Sequence, residues 1–383
     1  MNMHFRGKWL LPKIPVFKFA RRFGFPAVLP INLTVSLTYR CNSRCRTCSV
    51  YDRKAEEFSF EEFKRTFASI GRGVYWVTFS GGEPFLRKDI VDICKCAYEN
   101  LRPRIMNIPT NGLMPERIEG CVKAILNSCP DSNIIVNLSI DGIGEKHDEI
   151  RGARSGFEKA METYRKLRAL NHPNLTLGIH TVISKFNVKE IPLIYRNLME
   201  LKPDSYITEI AEERVELGTI GADIAPPPDE YASAVDFITK EMLSLDLKLI
   251  PRITRAFRTI YYQMVKATLR DRKEIIPCYA AVASCQIAPD GEVWACCIKA
   301  ESMGNLRDAG YNFRKVWFSS KAKKMREDIK RMRCCCPLAN ASYTNMLFSF
   351  RILFKVFGLV WNPRRAGKDT AENISLKAEA AKR

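Results

Sequence analysis

LTVSLTYRCNSRCRTC, residues 33–48, decides how this chain is read. A short run of apolar and β-branched residues, 33–37, has strand character and leads directly into a loop carrying Cys41, Cys45 and Cys48. The spacing is C-x3-C-x2-C. Three thiolates this close can ligate three irons of a four-iron, four-sulfur cubane and leave the fourth iron open for another ligand. The plain alternatives are a zinc knuckle and chance. A structural zinc site normally takes four ligands, and no fourth Cys or His lies nearby in sequence. Arg40, Arg44 and Arg46 flank the cysteines and are expected to lower their thiol pKa values.

After this loop, short apolar runs at 75–79, 104–108, 134–140, 175–183 and 205–210 alternate with helical patterns at 60–70, 88–99, 115–128, 155–169 and 187–201. The first helix sets Phe60, Phe63, Phe67 and Ile70 on one face, and Ser59 with Glu62 three residues later reads as a capping box. Strand alternating with helix predicts parallel strands and an α/β fold. Six such units fit a partial (β/α)6 TIM-like barrel with its chemistry at the C-terminal ends of the strands. An open doubly wound sheet reads the same way. The expected organisation is a basic aromatic arm at 1–30, outside the core, then a barrel at 31–215 and a helical connector at 216–275. A small cysteine-rich domain at 276–340 and an amphipathic basic tail at 341–383 complete it.

Ser80-Gly81-Gly82-Glu83-Pro84 ends the second strand, Thr110-Asn111-Gly112 the third, and Ser139-Ile140-Asp141-Gly142 the fourth. Together with the three-cysteine loop, these motifs resemble the radical S-adenosylmethionine (radical SAM) superfamily. The resemblance implies that Gly81 and Gly82 admit a ligand close to the backbone and that Glu83 pairs with the methionine ammonium of S-adenosylmethionine. It places Asn111, Ser139 and Asp141 where relatives contact cofactor or substrate, though Asn111-Gly112 and Asp141-Gly142 also read as ordinary turns. Residues 147–152 resemble the segment after strand four, so Arg151 would meet the methionine carboxylate or else form a surface ion pair. Where relatives commonly carry an aromatic residue before the last cluster cysteine, this chain has Thr47; Tyr51 is a candidate to cover the adenine instead.

Later in the chain lie Cys278, Cys285, Cys296, Cys297, Cys334, Cys335 and Cys336, with a hairpin expected to turn at Asp290-Gly291. This region resembles the SPASM/twitch auxiliary-cluster domain. The ligand set it implies is Cys278, Cys285, Cys296 and one of the late triplet, taken as Cys336; a zinc site is the alternative. Cys94, Cys96, Cys121 and Cys129 read as small core residues. His180 reads as a satisfied barrel residue, and Glu209, Glu212 and Glu213 as a solvated acidic loop that could instead face substrate.

The chain has 383 residues, 14 cysteines and a formal charge of +19, with 46% hydrophobic residues. No secretory signal is visible, so a reducing cytoplasm and thiolate–metal chemistry are the expectation rather than disulfides. The net charge calls for an acidic partner. At the N-terminus Phe5, Trp9, Phe17, Phe19, Phe23 and Phe25 are interleaved with Arg6, Lys8, Lys13, Lys18, Arg21 and Arg22. Residues 346–361 read MLFSFRILFKVFGLVW, short for a membrane span but suited to an interfacial helix, with a helix docked on the protein's own core as the alternative. The reading is therefore an enzyme that reductively cleaves S-adenosylmethionine and abstracts hydrogen from substrate, fed by ferredoxin or flavodoxin. The two ends favour a lipid or membrane-bound substrate and an anionic membrane surface on the inner face of the membrane. Ribosomal-peptide maturation, RNA modification and a non-catalytic iron–sulfur protein remain as alternatives.

Overall fold

Strand β1 (Asn32–Thr38) is buried from Leu33 onward because the sheet continues on both of its edges. The computed structural model describes residues 12–331 and 334–362. From β1 the chain alternates through α2 (Phe60–Ile70), β2 (Trp76–Gly81), α3 (Ile90–Leu101), β3 (Ile105–Thr110), α4 (Pro115–Ser128) and β4 (Asn133–Ser139). Two helices, α5 (Glu145–Arg151) and α6 (Gly156–Ala169), precede β5 (Leu175–Ile183), and α7 (Ile191–Glu200) leads to β6 (Ser205–Ile210). These six strands are parallel and neighbour one another in sequence order. The expected α/β alternation is present, and the sheet stays open rather than closing into a barrel.

One face of β1 carries Leu33, Val35 and Leu37 into the main hydrophobic cluster, which includes Phe63, Phe67 and Ile70 of α2. Its other face carries Thr34, Ser36 and Thr38 into a polar interior, where Ser36 meets Glu216 and Gln286. The strand period of two thus separates packing from chemistry.

After β6 come α8 (Pro228–Ser244) and α9 (Leu249–Asp271), matching the expected connector helices. The cysteine-rich segment does not form a sheet of its own. Strand β7 (Ser284–Ile287) joins the same sheet parallel to β1, with Leu33 opposite Cys285, and β8 (Glu292–Trp294) and β9 (Ser302–Asn305) extend it antiparallel. The β7–β8 hairpin turns at Asp290-Gly291 as expected, with Gly291 at φ +86. The boundary drawn at 276 separates two chemistries within one nine-stranded sheet.

The N-terminal expectation is corrected. Phe5 and Trp9 lie outside the described residues, but α1 (Lys13–Phe23) buries Ile14, Phe17 and Ala20 against Tyr279, Val282 and Phe348. It belongs to a core. At the other end, after α10 (Phe313–Trp317) and α11 (Ser320–Arg331), residues 346–361 do not make one helix. Helices α12 (Ala339–Leu347) and α13 (Phe350–Trp361) are bent by 93° at the break. Ser349 caps α13 by accepting the Ile352 amide, which fixes the new axis locally. Among the described residues no single helix is long and apolar enough to cross a membrane.

The capping box at Ser59 forms, and Glu62 does more than cap. Its carboxylate accepts from Arg307 Nε at 2.7 Å and from the Tyr311 hydroxyl at 3.0 Å, tying α2 to the segment after β9. The Arg307 hydrogen bond holds the Glu62 carboxyl down at about 2. A depressed carboxylate stabilises above its unfolded pKa near 4.5 and loses that contribution as pH falls through about 2. Arg307→Ala is expected to cost on the order of 1.5–3 kcal/mol at neutral pH. Urea unfolding of wild type and variant should show that gap narrowing as the solution is acidified across this window.

Candidate functional site

The cysteine loop after β1 is held from three sides. Arg44 and Arg46 amides donate to the Arg151 and Ile150 carbonyls at 3.1 and 2.9 Å, and the Ser43 hydroxyl donates to Arg151 O at 2.6 Å, lacing the loop to α5. Ser49 N donates to Leu217 O at 2.9 Å, while Val215 N and Glu216 N donate to Ile298 O and Cys297 O. Residues 215–217 therefore run between the first cysteine loop and the late cysteines. Cys41 and Cys48 also pack against a small cluster of Tyr39, Val50, Ala288 and Trp294.

On the third side stands the Gly81-Gly82-Glu83 turn. A Cβ on Gly81 would lie 2.2 Å from Thr38 O, and one on Gly82 would lie 2.1 Å from Arg40 O. Gly82 N and Glu83 N donate to those two carbonyls at 2.7 and 2.9 Å. The room these glycines provide is filled by the cysteine loop's own backbone, where the sequence reading had expected ligand.

Glu83 is 1% exposed. Its carboxylate accepts from the Thr110 hydroxyl at 2.9 Å, Asn111 N at 2.8 Å and Phe85 N at 3.2 Å. Burial pushes its pKa up to about 7 despite these donors. The cation whose field reaches it, Arg151, is already bonded to Asp141 Oδ2 at 3.0 Å. A buried carboxylate oriented by three neutral donors suits an incoming ammonium, so the residues present fit the amino group of S-adenosylmethionine.

Asp141 and Arg151 form a buried ion pair rather than a surface one, with side chains 1% and 13% exposed. Asp141 Oδ1 also accepts Val182 N at 2.8 Å, and its amide donates to His147 Nδ1 at 3.2 Å. The Asp141 carboxylate is thus committed to the protein. Arg151 keeps a buried Nε with no hydrogen-bond partner, and its guanidinium feels Cys45 and Cys41. Asn111 Nδ2 donates to Asn42 at 2.7 Å and lies 4.0 Å from Cys41 Sγ, so it braces the cysteine loop. Ser139 ends β4 opposite His180, half-buried.

The flanking arginines do not depress the Cys41 and Cys48 thiols. Arg40 pairs with Glu57, Arg46 with Glu149, and Arg44 lies 4.3 Å above the Tyr51 ring, which therefore already has a cover. Burial instead pushes the Cys48 thiol up to about 12 and raises Cys41. Among the described residues no three ligands converge as a single metal ion would require. A cubane makes no such demand, because each thiolate takes a different iron.

The late cysteines divide. Cys278, Cys334 and Cys336 line one cleft with Glu274 and Pro337. Cys296 is close enough to Cys278, Cys334 and Cys336 to influence each thiol. Cys285 sits apart, buried in the main hydrophobic cluster on the outward face of β7, where burial raises its pKa and Arg326 is the charge that reaches it. Cys335 is exposed and bonds Arg272 O. Cys297 points to the interior, facing Glu216 and Arg214. The set this geometry supports is Cys278, Cys296, Cys334 and Cys336; Cys285 leaves it because strand alternation turns its side chain away.

The interior also holds a charge network whose centre, Arg214, carries no signal in the sequence. Arg214 bonds Glu209 at 3.3 Å and Glu212 at 3.1 Å, and His180 Nε2 meets Glu209 at 3.1 Å. Burial works against ionisation of Glu209, but Arg214 and His180 overcome it and bring the carboxyl down to about 2. Burial, reinforced by Glu209, leaves Glu212 raised to about 7. Of the expected solvated acidic loop, Glu209 and Glu212 enter a half-buried charge network, while Glu213 accepts the Gly221 and Asp223 amides at the surface. Gln286 is legible in sequence only as a polar residue at an alternating strand position, and Glu216, in a turn after β6, carries no local signal. Cys94, Cys121 and Cys129 pack in the main hydrophobic cluster as expected.

Comparison with known proteins agrees with this geometry. The radical SAM superfamily model matches residues 35–198, and the SPASM iron–sulfur cluster-binding domain matches 278–337. The chain therefore carries a radical SAM domain and a SPASM domain. Such a core implies a 4Fe–4S cluster with S-adenosylmethionine, and a SPASM domain implies auxiliary iron–sulfur clusters.

Curated relatives include the Fe-coproporphyrin III synthase of Methanosarcina barkeri, 33% identical over 44% of this chain and 40% of its own length. The sporulation killing factor maturation protein SkfB of Bacillus subtilis is 31% identical over 43% of this chain and 38% of its own. A PqqA peptide cyclase of Bradyrhizobium diazoefficiens is 28% identical over 48% and 46%. The chain thus spans less than half the length of these relatives. Among solved structures, anSMEcpe with bound AdoMet and a peptide superposes with a TM-score of 0.59 at 15% identity, covering 91% of this chain and all of that one. Streptococcus suis SuiB bound to precursor peptide SuiA gives 0.55 at 15% identity, covering 78% and 67%. At that identity these two show the fold alone.

Single substitutions separate the two late-cysteine sets. Cys278→Ser, Cys296→Ser and Cys336→Ser should each lose about four irons per chain after anaerobic reconstitution. Cys285→Ser should keep its full iron content, as read by iron and sulfide analysis.

Proposed function

We propose that this chain is a radical SAM/SPASM enzyme that modifies a peptide. The observation that carries the reading is that residues 215–217 link two cysteine groups, bonding Ser49 beside the Cys41, Cys45 and Cys48 loop and the Cys297 and Ile298 carbonyls beside Cys296, whose group includes Cys278, Cys334 and Cys336. Peptide substrates are supported by the relatives' names, which include a peptide cyclase and a killing-factor maturation protein, and by SuiB, solved with its precursor peptide. The lipid substrate favoured by the basic aromatic ends finds no support among the relatives, and neither does nucleic acid.

Cys41, Cys45 and Cys48 would hold a 4Fe–4S cluster, which with S-adenosylmethionine bound at its open iron would supply the radical chemistry for taking hydrogen from the substrate. Glu83 receives the methionine ammonium, held in place by Thr110, Asn111 and Phe85. Arg151, anchored by Asp141, places a fixed positive charge beside the thiolates. The His180, Glu209, Arg214 and Glu212 network presents both charge signs to the polar interior, where a peptide's amides and side chains find donors and acceptors. Glu212, with its pKa near neutrality, can exchange a proton there. A ferredoxin or flavodoxin is the proposed electron source.

The reconstituted protein, given reductant and S-adenosylmethionine, is expected to release 5′-deoxyadenosine, and Cys45→Ala should abolish that release. No release from wild type would overturn the reading. Short peptides encoded beside this chain's gene should change mass in a manner requiring both Cys45 and Cys296.

Glu83→Gln should weaken S-adenosylmethionine binding about tenfold or more, since one charge-assisted bond is lost. Because an ammonium needs the ionised carboxylate, wild-type affinity should also fall as pH drops below about 7, the value to which burial raises Glu83. Equilibrium dialysis across that range checks both.

A further inference from the structure

Helix α13 has two apolar faces. Ile352, Val356 and Leu359 are buried against the protein. Phe350, Phe354, Phe357 and Trp361 are 49%, 76%, 65% and 68% exposed. At about 100° per residue these four fall within a stripe about 60° wide. A helix packed on a globular surface ordinarily turns a polar face to water. This one turns an aromatic stripe.

Helix α1 repeats the arrangement from the other end of the chain. It buries Ile14, Phe17 and Ala20 and exposes Phe19 and Phe23, followed by Phe25 at 70%. The two helices adjoin: Phe17 and Phe348 rings lie 5.2 Å apart, and Lys18 Nζ sits 4.0 Å above the Phe350 ring. Seven of the eight exposed phenylalanine and tryptophan side chains among the described residues belong to this pair of helices and the residues that follow α1. The aromatics therefore gather on one region of the surface.

The segments that carry them hold charge of one sign. No Asp or Glu precedes Asp52, and none lies between Asp328 and Asp369. Arg22 is exposed beside Phe23, and Lys330 of α11 reaches the Arg22 carbonyl at 2.7 Å. Exposed aromatic rings on segments that carry cations and no acidic residue match the headgroup region of an anionic bilayer, where rings enter the interface and cations meet phosphate.

We propose that α1 and α13 together form a docking face for an anionic lipid surface. It places the protein at a membrane whatever substrate the interior takes, and it does not depend on the radical reaction.

The test is flotation of the full chain, purified anaerobically, with vesicles of phosphatidylcholine containing about 30% phosphatidylglycerol, against phosphatidylcholine alone. Wild type should float with the anionic vesicles and not with the neutral ones. Phe354→Ser/Phe357→Ser/Trp361→Ser should lower the bound fraction about tenfold or more, with iron content and elution volume unchanged. Phe19→Ser/Phe23→Ser should do the same from the other helix, covering the case in which the first variant misfolds. The proposal falls if wild type fails to bind anionic vesicles or if both variants bind like wild type. It falls equally if light scattering shows a dimer that these substitutions dissolve, since a second copy would then cover the face.

Discussion

The site depends on β1 having a hydrogen-bonded parallel neighbour on each edge. Pairing with β2 sets Ser36 opposite Ser80 and Thr38 opposite Gly81, so the strand ends level with the glutamate turn. Pairing with β7 sets Thr34 opposite Gln286 and Val35 opposite Ile287, so the hairpin and Trp294 come up beside the same loop. A slip of one residue in either register would exchange the polar and apolar faces of β1. It would turn Ser36 into the helices and Leu37 into the interior, and the cysteine loop would lose its floor.

Around that strand the protein buries charge, and it does so with partners. Asp141 spends both carboxylate oxygens on Arg151 and Val182, and Arg214 bridges two glutamates. Removing one member of such a pair leaves the other uncompensated in low dielectric, which costs about 3–5 kcal/mol. Glu83 differs: its hydrogen-bond donors, Thr110, Asn111 and Phe85, are all neutral, and burial raises its pKa to about 7.

The auxiliary segment is fastened to the core at several independent points. The Glu62–Arg307 pair joins it to α2, Trp317 Nε1 donates to Val28 O at 2.7 Å, and Arg21 Nε donates to Cys278 O at 2.7 Å. The last of these links α1 directly to a cysteine of the second group. The N-terminal helix thereby belongs to the same packed unit as the chemistry, though its composition reads as an arm.

The sequence by itself determined the alternation of strands and helices, the cysteine loop, the GGE turn, the capping box at Ser59 and the hairpin at Asp290-Gly291. Each of these rests on short-range signals: periodicity, local spacing and turn chemistry. Only the tertiary structure decided that Cys285 faces the helices, that Cys334 lines the cleft with Cys278 and Cys336, that Glu209 and Glu212 gather around Arg214, and that the last apolar stretch bends between α12 and α13. Those outcomes depend on which strand neighbours which and on which face is covered. Such long-range facts leave no mark on neighbouring residues in the chain.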